Sequence, residues 1–219
     1  MVLISNTKSD LLDAGISKFL STMDEKYEFV VFDLETNGLD PKKDSVLSIS
    51  AMKVRIRSKN NLVCRAMYNR YYYPVDGEDY NPYAIAINGL TEEVITKKRE
   101  GATYPEHFKD DIDAFKEYCG DCHHFMGHNL IHFDTQFFDG KVDFASVFDT
   151  LVENTPIVDS ANEFGQGKAP RLSECAEFYG INPDGPLHQS FWDTMLTAKV
   201  FQEMLGNSTL RLAKDKCVQ

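Results

Sequence analysis

Two acidic residues, Asp33 and Glu35, follow an apolar run in the segment EFVVFDLETNGLD (residues 28–40). The apolar run predicts a buried strand, and side chains two apart on a strand point to the same face. Neighbouring carboxylates repel each other and are costly to remove from water. Carboxylates about 6–7 Å apart along a strand can share divalent cations, whose charge removes the repulsion. The alternative is a solvated acidic end of a half-buried strand.

Further acidic residues occur in MGHNLIHFDTQFF, which contains Asp134, and in LHQSFWDTMLTAKVF, which contains His188 and Asp193. Asp134 lies near the start of a predicted helix. A negative charge in the first turn stabilises a helix, and this is the alternative role of Asp134. A histidine five residues before an aspartate carries no weight by itself, because chance alone gives roughly half a match in such a chain. Oxygen ligands favour Mg²⁺ or Mn²⁺ over zinc, and two such ions can clamp both reacting oxygens of a phosphoryl displacement.

The segments FDLETNG, GHNLIHFD and HQSFWD, in this order, resemble the motifs of the DEDD exonucleases of the histidine type. That family includes the epsilon proofreading subunit of bacterial DNA polymerase III. The resemblance covers about residues 27–205 and includes NPYAIAINGLTEEVI and VFDTL…RLSECAEFYGI between the motifs. Ser190 stands where the family usually has Ala, and Asn88 where it usually has His. The second motif has three residues between Asn129 and Phe133, where the epsilon type usually has two.

The resemblance implies a ribonuclease H-like α/β fold, with a mixed five-stranded sheet flanked by helices. It implies a two-metal-dependent 3′–5′ exonuclease that releases nucleoside monophosphates from DNA 3′ ends, as in proofreading or repair. By resemblance, Asp33 bridges two Mg²⁺ or Mn²⁺ ions, and Asp134 supports the second ion. Glu35 and Asp193 bind the ion that carries the attacking water.

His188 is the expected general base, because imidazole titrates near neutral pH. Its alternative role is that of a structural hydrogen bonder. By resemblance, the loop after the first motif contacts the 3′-terminal nucleotide, and a glycine there permits close backbone approach. For Phe133, stacking on a base and plain core packing are equally good interpretations. The predicted nucleotide-binding residues are Thr36, Asn37, Gly38, Asn88 and Phe133.

The expected partner is a single-stranded or frayed 3′ end, and a DNA polymerase subunit is a candidate protein partner. The segment INGLT favours DNA, whereas the main alternative is a 3′–5′ exoribonuclease acting on RNA or short oligoribonucleotides. A further alternative is a non-catalytic module that binds nucleic acid or a polymerase.

The composition excludes several other classes of protein. A net charge of −11 argues against binding nucleic acid through a broad basic surface. No apolar run reaches the ~20 residues of a membrane span, and the charged N-terminal segment does not fit a signal peptide. These features predict a cytoplasmic protein with no membrane partner. The segment YCGDCHH (118–124) is interpreted as incidental, so neither haem nor structural zinc is expected.

Periodicity predicts the elements that hold these residues. A helix is expected over 9–24 with Ser9 as N-cap. A strand that ends at Asp33 follows, and two further strands cover 45–56 and 61–75. Short helices and strands then alternate, which predicts an α/β domain. A helical segment broken at Asn88-Gly89 is predicted over 81–98, and further helices are predicted over 104–120, 132–140, 171–181 and 190–206. Residues 123–129 are predicted to form a strand, and residues 147–154 a strand that runs into a helix. The predicted divisions are an N-terminal helical extension (1–26), an exonuclease domain (27–207) and a polar tail (208–219).

Overall fold

The computed structural model describes residues 4–217. One mixed sheet contains five strands in the spatial order β3-β2-β1-β4-β5. The pairs β1–β2 and β2–β3 are antiparallel, whereas β1–β4 and β4–β5 are parallel. The expected mixed five-stranded sheet is therefore confirmed. The strands are β1 (Glu28–Thr36), β2 (Val46–Ser58), β3 (Asn61–Tyr71), β4 (His124–Gly127) and β5 (Ser146–Asp149).

Helices flank this sheet. Within the described residues, none of them is both long enough and apolar enough to cross a membrane. Short 3₁₀ helices cover Phe108–Asp110, Asp134–Phe138 and Asp215–Cys217. The α-helices are α1 (Asn6–Ser21), α2 (Pro82–Asn88), α3 (Glu92–Lys98), α4 (Ile112–Cys119), α5 (Thr150–Asn154), α6 (Leu172–Phe178) and α7 (Ser190–Asn207).

The first helix begins and ends three residues earlier than the predicted span of 9–24. Ser5 rather than Ser9 is the N-cap, since its side chain accepts a hydrogen bond from Lys8 N. At the other end, the Thr22 hydroxyl donates to Phe19 O at 2.7 Å. An apolar stripe identifies the buried face of a helix, but its ends depend on which polar side chain reaches the free backbone groups.

Other predicted boundaries also differ from the structure. Strand β1 continues past Asp33 to Thr36, because Glu35 still pairs with Ser48 of β2. Strand β3 ends at Tyr71 instead of 75, ahead of a proline that cannot donate to a ladder. The predicted helix over 132–140 is a short 3₁₀ helix, and that over 104–120 divides into a 3₁₀ turn and α4. The predicted break at Asn88-Gly89 is confirmed by a left-handed Gly89, with φ 70°.

Two apolar layers enclose the sheet. On β1, Phe29 and Val31 face the layer formed with α1 and α7, whereas Val30 and Phe32 face the layer formed with α4. Because strand side chains alternate, Asp33 and Glu35 continue the row of Phe29 and Val31. The alternation therefore carries both carboxylates onto the face that α7 covers.

Both terminal segments contribute to the α7 layer. Leu12 and Ile16 of α1 are buried in it, and Leu210 and Leu212 of the predicted tail pack against it. The predicted divisions at 26/27 and 207/208 stay a prediction. Their outermost residues, 1–3 and 218–219, lie outside the described part of the chain.

Candidate active site

Three carboxylates meet where the end of β1 faces the first turn of α7. Asp33 and Glu35 come from β1, and Asp193 comes from α7. One carboxylate oxygen from each residue lies within 4.8 Å of the other two. The structure thus brings together three of the four acids that the motifs predict as metal ligands.

The fourth predicted acid, Asp134, joins the same cavity from the other side of β1. It is the first residue of its 3₁₀ helix and only 3% exposed. Its Oδ1 accepts a hydrogen bond from Leu34 N at 2.9 Å, between the two carboxylates of β1. All four acids line one cavity of about 800 Å³, a volume suited to a small ligand such as a nucleotide.

Burial and mutual repulsion make these carboxyl groups weak acids. Burial, followed by the charges of Asp193 and Asp134, raises the pKa of Glu35 from 4.5 to about 8. Burial also raises the pKa of Asp134 to about 8. The pKa of Asp33 lies well above its ordinary value because of burial and three neighbouring acids. Burial raises the pKa of Asp193 too. Full ionisation at neutral pH therefore needs a compensating positive charge.

The hydrogen bonding of Asp193 fits a bound cation. Its Oδ2 accepts from His188 N at 2.8 Å, whereas its buried Oδ1 has no hydrogen-bond partner among residues 4–217. Leaving a buried carboxylate oxygen unpaired is costly. A divalent cation would satisfy this oxygen and the carboxylates of Asp33 and Glu35, and an all-oxygen site suits Mg²⁺ or Mn²⁺.

His188 lies in the loop just before α7 and lines the same cavity. Its φ of 59° is in the left-handed region, which non-glycine residues rarely adopt. Within the described chain, three non-glycine residues have positive φ, and two of them, Asn129 and His188, line this cavity. Unfavourable backbone conformations tend to occur at functional sites, where the surrounding structure maintains them.

Asp149 positions the loop that leads to Asp134, and the sequence motifs did not identify it. Its Oδ1 accepts hydrogen bonds from Asn129 N at 2.8 Å and Leu151 N at 3.0 Å. Its Oδ2 accepts from Ile131 N at 3.0 Å. These bonds hold the loop of the second motif against the end of β5. An acid directly after the apolar strand VF was the signal that could have identified it.

Four of the five predicted nucleotide-binding residues line the cavity: Thr36, Gly38, Asn88 and Phe133. The Thr36 hydroxyl donates to Gly38 O at 2.6 Å. The Asn88 amide donates to Thr36 O at 3.1 Å and accepts from Leu90 N at 2.9 Å. Both polar side chains therefore form hydrogen bonds within the protein.

Asn37, the fifth predicted residue, is turned away from the cavity. It is 1% exposed, and its amide donates to Glu78 Oε1 at 2.6 Å and to Asp79 O at 2.9 Å. Its Oδ1 accepts from Asn81 N at 2.9 Å. The side chain thus ties the end of β1 to the segment that leads into α2.

Gly38 lies in close contact with the side chain of Asp44. A Cβ at this position would overlap the carboxylate of Asp44, with even Oδ1 only 2.7 Å away. Asp44 Oδ2 in turn accepts a hydrogen bond from Asp40 N at 2.8 Å. The glycine therefore lets the loop after β1 fold tightly on itself.

Three large apolar residues on the wall of the cavity were missed by sequence reasoning. Leu39 is 82% exposed, Tyr83 is 81% exposed and Ile87 is 62% exposed. Tyr83 and Ile87 lie one turn apart on α2 and therefore on the same face. Exposed apolar groups beside a polar cavity indicate a binding surface. The i, i+4 pair of large apolar residues in the short helix PYAIAIN was the available signal.

Known proteins resemble the chain across most of its length. A profile of the exonuclease family (RNase_T) matches residues 30–201. Ribonuclease T of Yersinia enterocolitica is 28% identical over 189 residues, which covers 82% of this chain and 85% of that protein. The PolC-type DNA polymerase III of Staphylococcus epidermidis is 25% identical over 202 residues, covering 89% of this chain and 13% of the polymerase.

Solved structures share the fold. Exonuclease I of E. coli, in complex with a dA16 oligonucleotide, matches with a TM-score of 0.61 and 18% identity. The match covers 80% of this chain and 40% of exonuclease I. The expected ribonuclease H-like architecture is therefore confirmed. With the family profile spanning most of the chain, the protein belongs to the DEDD exonuclease family, which depends on divalent metal ions, and it is a 3′–5′ exonuclease.

Proposed function

We propose that this exonuclease removes nucleoside monophosphates from the 3′ ends of single-stranded or frayed DNA, with two Mg²⁺ or Mn²⁺ ions. The observation that carries the proposal is the carboxylate cluster. Oxygens of Asp33, Glu35 and Asp193 lie within 4.8 Å of one another, and a buried Asp193 oxygen lacks a partner in the described structure. Such a cluster of carboxylate oxygens suits divalent cations.

The four acids would hold the cations in the arrangement that the motifs imply. Asp33 would contact both ions, Glu35 and Asp193 one of them, and Asp134 the other. The bound ions would supply positive charge to the attacking and leaving oxygens of the displacement. Asp134 already accepts one backbone hydrogen bond through Oδ1, which fixes the orientation of its carboxylate.

His188 would accept the proton of the attacking water as general base. The support is that His188 lines the cavity and that its backbone N donates a hydrogen bond to Asp193 Oδ2, a member of the carboxylate cluster. The bond that breaks joins the terminal phosphate to the 3′ oxygen of the preceding nucleotide. The products are a nucleoside monophosphate and a chain one nucleotide shorter with a free 3′ hydroxyl.

The terminal base would rest against the apolar wall formed by Leu39, Tyr83 and Ile87. Stacking on aromatic and apolar side chains is tolerant of sequence, because every base has a π-face. Phe133 lines the cavity as well, although its ring also packs on Phe137 with centroids 5.2 Å apart. This wall supports action on single strands, whose bases are free to stack on protein.

Hydrogen bonding at the end of β1 supports DNA as the preferred polymer. A contact to the 2′-hydroxyl is what distinguishes RNA at a given site. Thr36 and Asn88 form hydrogen bonds within the protein, and Asn37 is turned inward. Thr36 and Asn37 therefore offer no free donor with which to select a ribose, whereas the Asn88 amide keeps one of its two N–H groups.

RNA is the second candidate substrate, either as long chains or as short oligoribonucleotides. It is favoured by the relative named ribonuclease T, of whose length the chain covers 85%. Direct comparison of DNA and RNA oligomers of one sequence separates these candidates.

Proofreading beside a polymerase is the proposed setting if DNA is the substrate. The support is the similarity to PolC-type polymerases, of whose length this chain spans 13%. A DNA polymerase subunit is accordingly the proposed protein partner. The cytoplasmic location stays a prediction from the sequence.

The test is a time course on a 5′-labelled single-stranded DNA oligonucleotide with Mg²⁺, Mn²⁺ or EDTA, beside an RNA copy. We expect a ladder shortening from the 3′ end, abolished by EDTA, with DNA degraded faster. Asp33→Asn should be at least 100-fold slower, whereas Asp121→Asn, an exposed aspartate outside the cavity, should match wild type. Faster RNA cleavage would move the assignment to the exoribonuclease. Tight binding of DNA without any product would refute the proposed catalysis.

A further inference from the structure

The loop before α7, residues 182–189, is attached to that helix at three points. The first is the bond from His188 N to Asp193 Oδ2 described above. The second is an ion pair between Asp184 Oδ2 and Lys199 Nζ at 2.5 Å. The third is a contact between the Gly185 backbone and the Trp192 indole. Together these contacts fold the loop back along the helix that it precedes.

The contact between Gly185 and Trp192 is very close. A Cβ at residue 185 would overlap the indole ring, and even Trp192 Cγ would lie only 2.7 Å from it. The φ angle of Gly185 is outside the left-handed region, so backbone conformation does not require glycine there. Gly180 shows the opposite case, with a φ of 70° and open space around its Cα. Glycine at 185 is therefore explained by the indole that rests on it.

The ion pair between Asp184 and Lys199 adds little to this attachment. Its side chains are 46% and 39% exposed, and exposed ion pairs contribute about 0–1 kcal/mol. The indole of Trp192 is half-buried and presents a large apolar surface to the loop. The apolar contact is thus the stronger determinant of where the loop lies.

His188 depends on the loop for its orientation. Its ring forms no hydrogen bond to any residue among 4–217, and its φ of 59° is unfavourable outside a fixed loop. Gly185 is three residues before His188, and Trp192 directly precedes Asp193. The Gly185–Trp192 contact therefore links the segment of the proposed base to the helix turn that bears a proposed metal ligand.

We infer that Trp192, packed on Gly185, is a positioning residue that sets the place of His188 over the carboxylate cluster. The inference rests on the proposed function, in which His188 accepts the proton of the attacking water. A displacement of about 1 Å in a catalytic group can cost about 100-fold in rate. Positioned general bases contribute about 10²–10⁴-fold. Loss of the contact should therefore lower kcat, with little change in KM.

The experiment combines loop variants with removal of the base. Gly185→Ala forces the loop and the indole apart, and Trp192→Leu removes the indole while keeping an apolar side chain. Each should lower kcat at least tenfold and change KM less than threefold. In a His188→Ala background, each should change kcat less than twofold, because the group that they position is gone. Gly167→Ala is the matched control, since nothing lies within 4 Å of its added Cβ.

Fluorescence reports the contact itself, because Trp192 is the single tryptophan of the sequence. We expect Gly185→Ala to shift its emission to longer wavelength as the loop leaves the indole, and Gly167→Ala to leave the emission unchanged.

The outcomes separate this inference from the proposed function. Wild-type kcat in both loop variants, beside a slow His188→Ala enzyme, would overturn the inference alone. So would loop variants that slow the His188→Ala enzyme by the same factor as wild type. A His188→Ala enzyme as fast as wild type would overturn the proposed base and the inference with it.

Discussion

Replacing Glu35 by Gln should stabilise the metal-free protein at pH 8 while abolishing activity. Glutamine keeps the shape of the side chain and removes one charge from the cluster. The pKa of Glu35 is raised by burial and by Asp193 and Asp134 from 4.5 to about 8. Between these values the native state holds a proton that the unfolded state has lost. The free energy of unfolding must therefore fall as the pH rises through this window.

Two related arguments give the size of the effect, because the repulsion from Asp193 and Asp134 is one part of the pKa shift of Glu35. One pKa unit corresponds to about 1.4 kcal/mol, so the shift of Glu35 sets an upper limit of about 5 kcal/mol. Two charges 4.8 Å apart, the largest separation within the cluster, repel by about 3 kcal/mol at an effective dielectric constant of about 20. We expect Glu35→Gln to raise the free energy of unfolding by about 3 kcal/mol in EDTA at pH 8. At pH 5 the gain should be under about 1 kcal/mol, because native Glu35 is then protonated.

The assay is urea unfolding of wild type, Glu35→Gln and the exposed control Glu93→Gln, at pH 5 and pH 8, with EDTA or Mg²⁺. In saturating Mg²⁺ wild type should be more stable than Glu35→Gln. A ligand that binds only the native state stabilises the protein that binds it better, and wild type keeps the Glu35 carboxylate. Glu93→Gln should stay within about 0.5 kcal/mol of wild type throughout. An equal gain at both pH values, or destabilisation in EDTA at pH 8, would refute the account of the cluster as mutually repelling metal ligands.

Three further substitutions and one control test how the site and the core beneath it are supported. Asp149→Asn should lower activity about 10–100-fold with little change in the far-ultraviolet circular dichroism spectrum, because it weakens the hydrogen bonds that hold the loop of the second motif; wild-type turnover would contradict this role. Gly38→Ala should lower the free energy of unfolding by about 1–3 kcal/mol and raise KM, because the added Cβ overlaps Asp44; denaturation and initial rates measure both, and an unchanged pair of values would show that the loop yields freely. Ile16→Ala, fully buried in α1, should cost about 2–5 kcal/mol in chemical denaturation, whereas Leu11→Ala, 45% exposed, should cost under about 1 kcal/mol; equal small losses would mean that α1 is dispensable to the core.

Local sequence patterns predicted which helices and strands form better than they predicted where each one begins and ends. Strand alternation placed Asp33 and Glu35 on one face, and the structure brings their oxygens together. The break at Gly89 followed from its tolerance of positive φ. The start of α1 was misplaced because Ser5 and Ser9 are equally good caps in sequence. Only the folded chain shows which of them reaches a free N–H group.

The sequence by itself determined the chemistry: which acids and which histidine the chain carries, in what order, and that two of the acids share a strand face. The tertiary structure alone decided that Asn37 turns inward, that Asp149 holds the loop of the second motif and that Gly185 lies under Trp192. The spacing between Asp33 and Asp193 also arises only because α7 packs across the face of β1. Residue type and alternation are local properties, whereas hydrogen-bond partners and burial depend on which distant segments pack together.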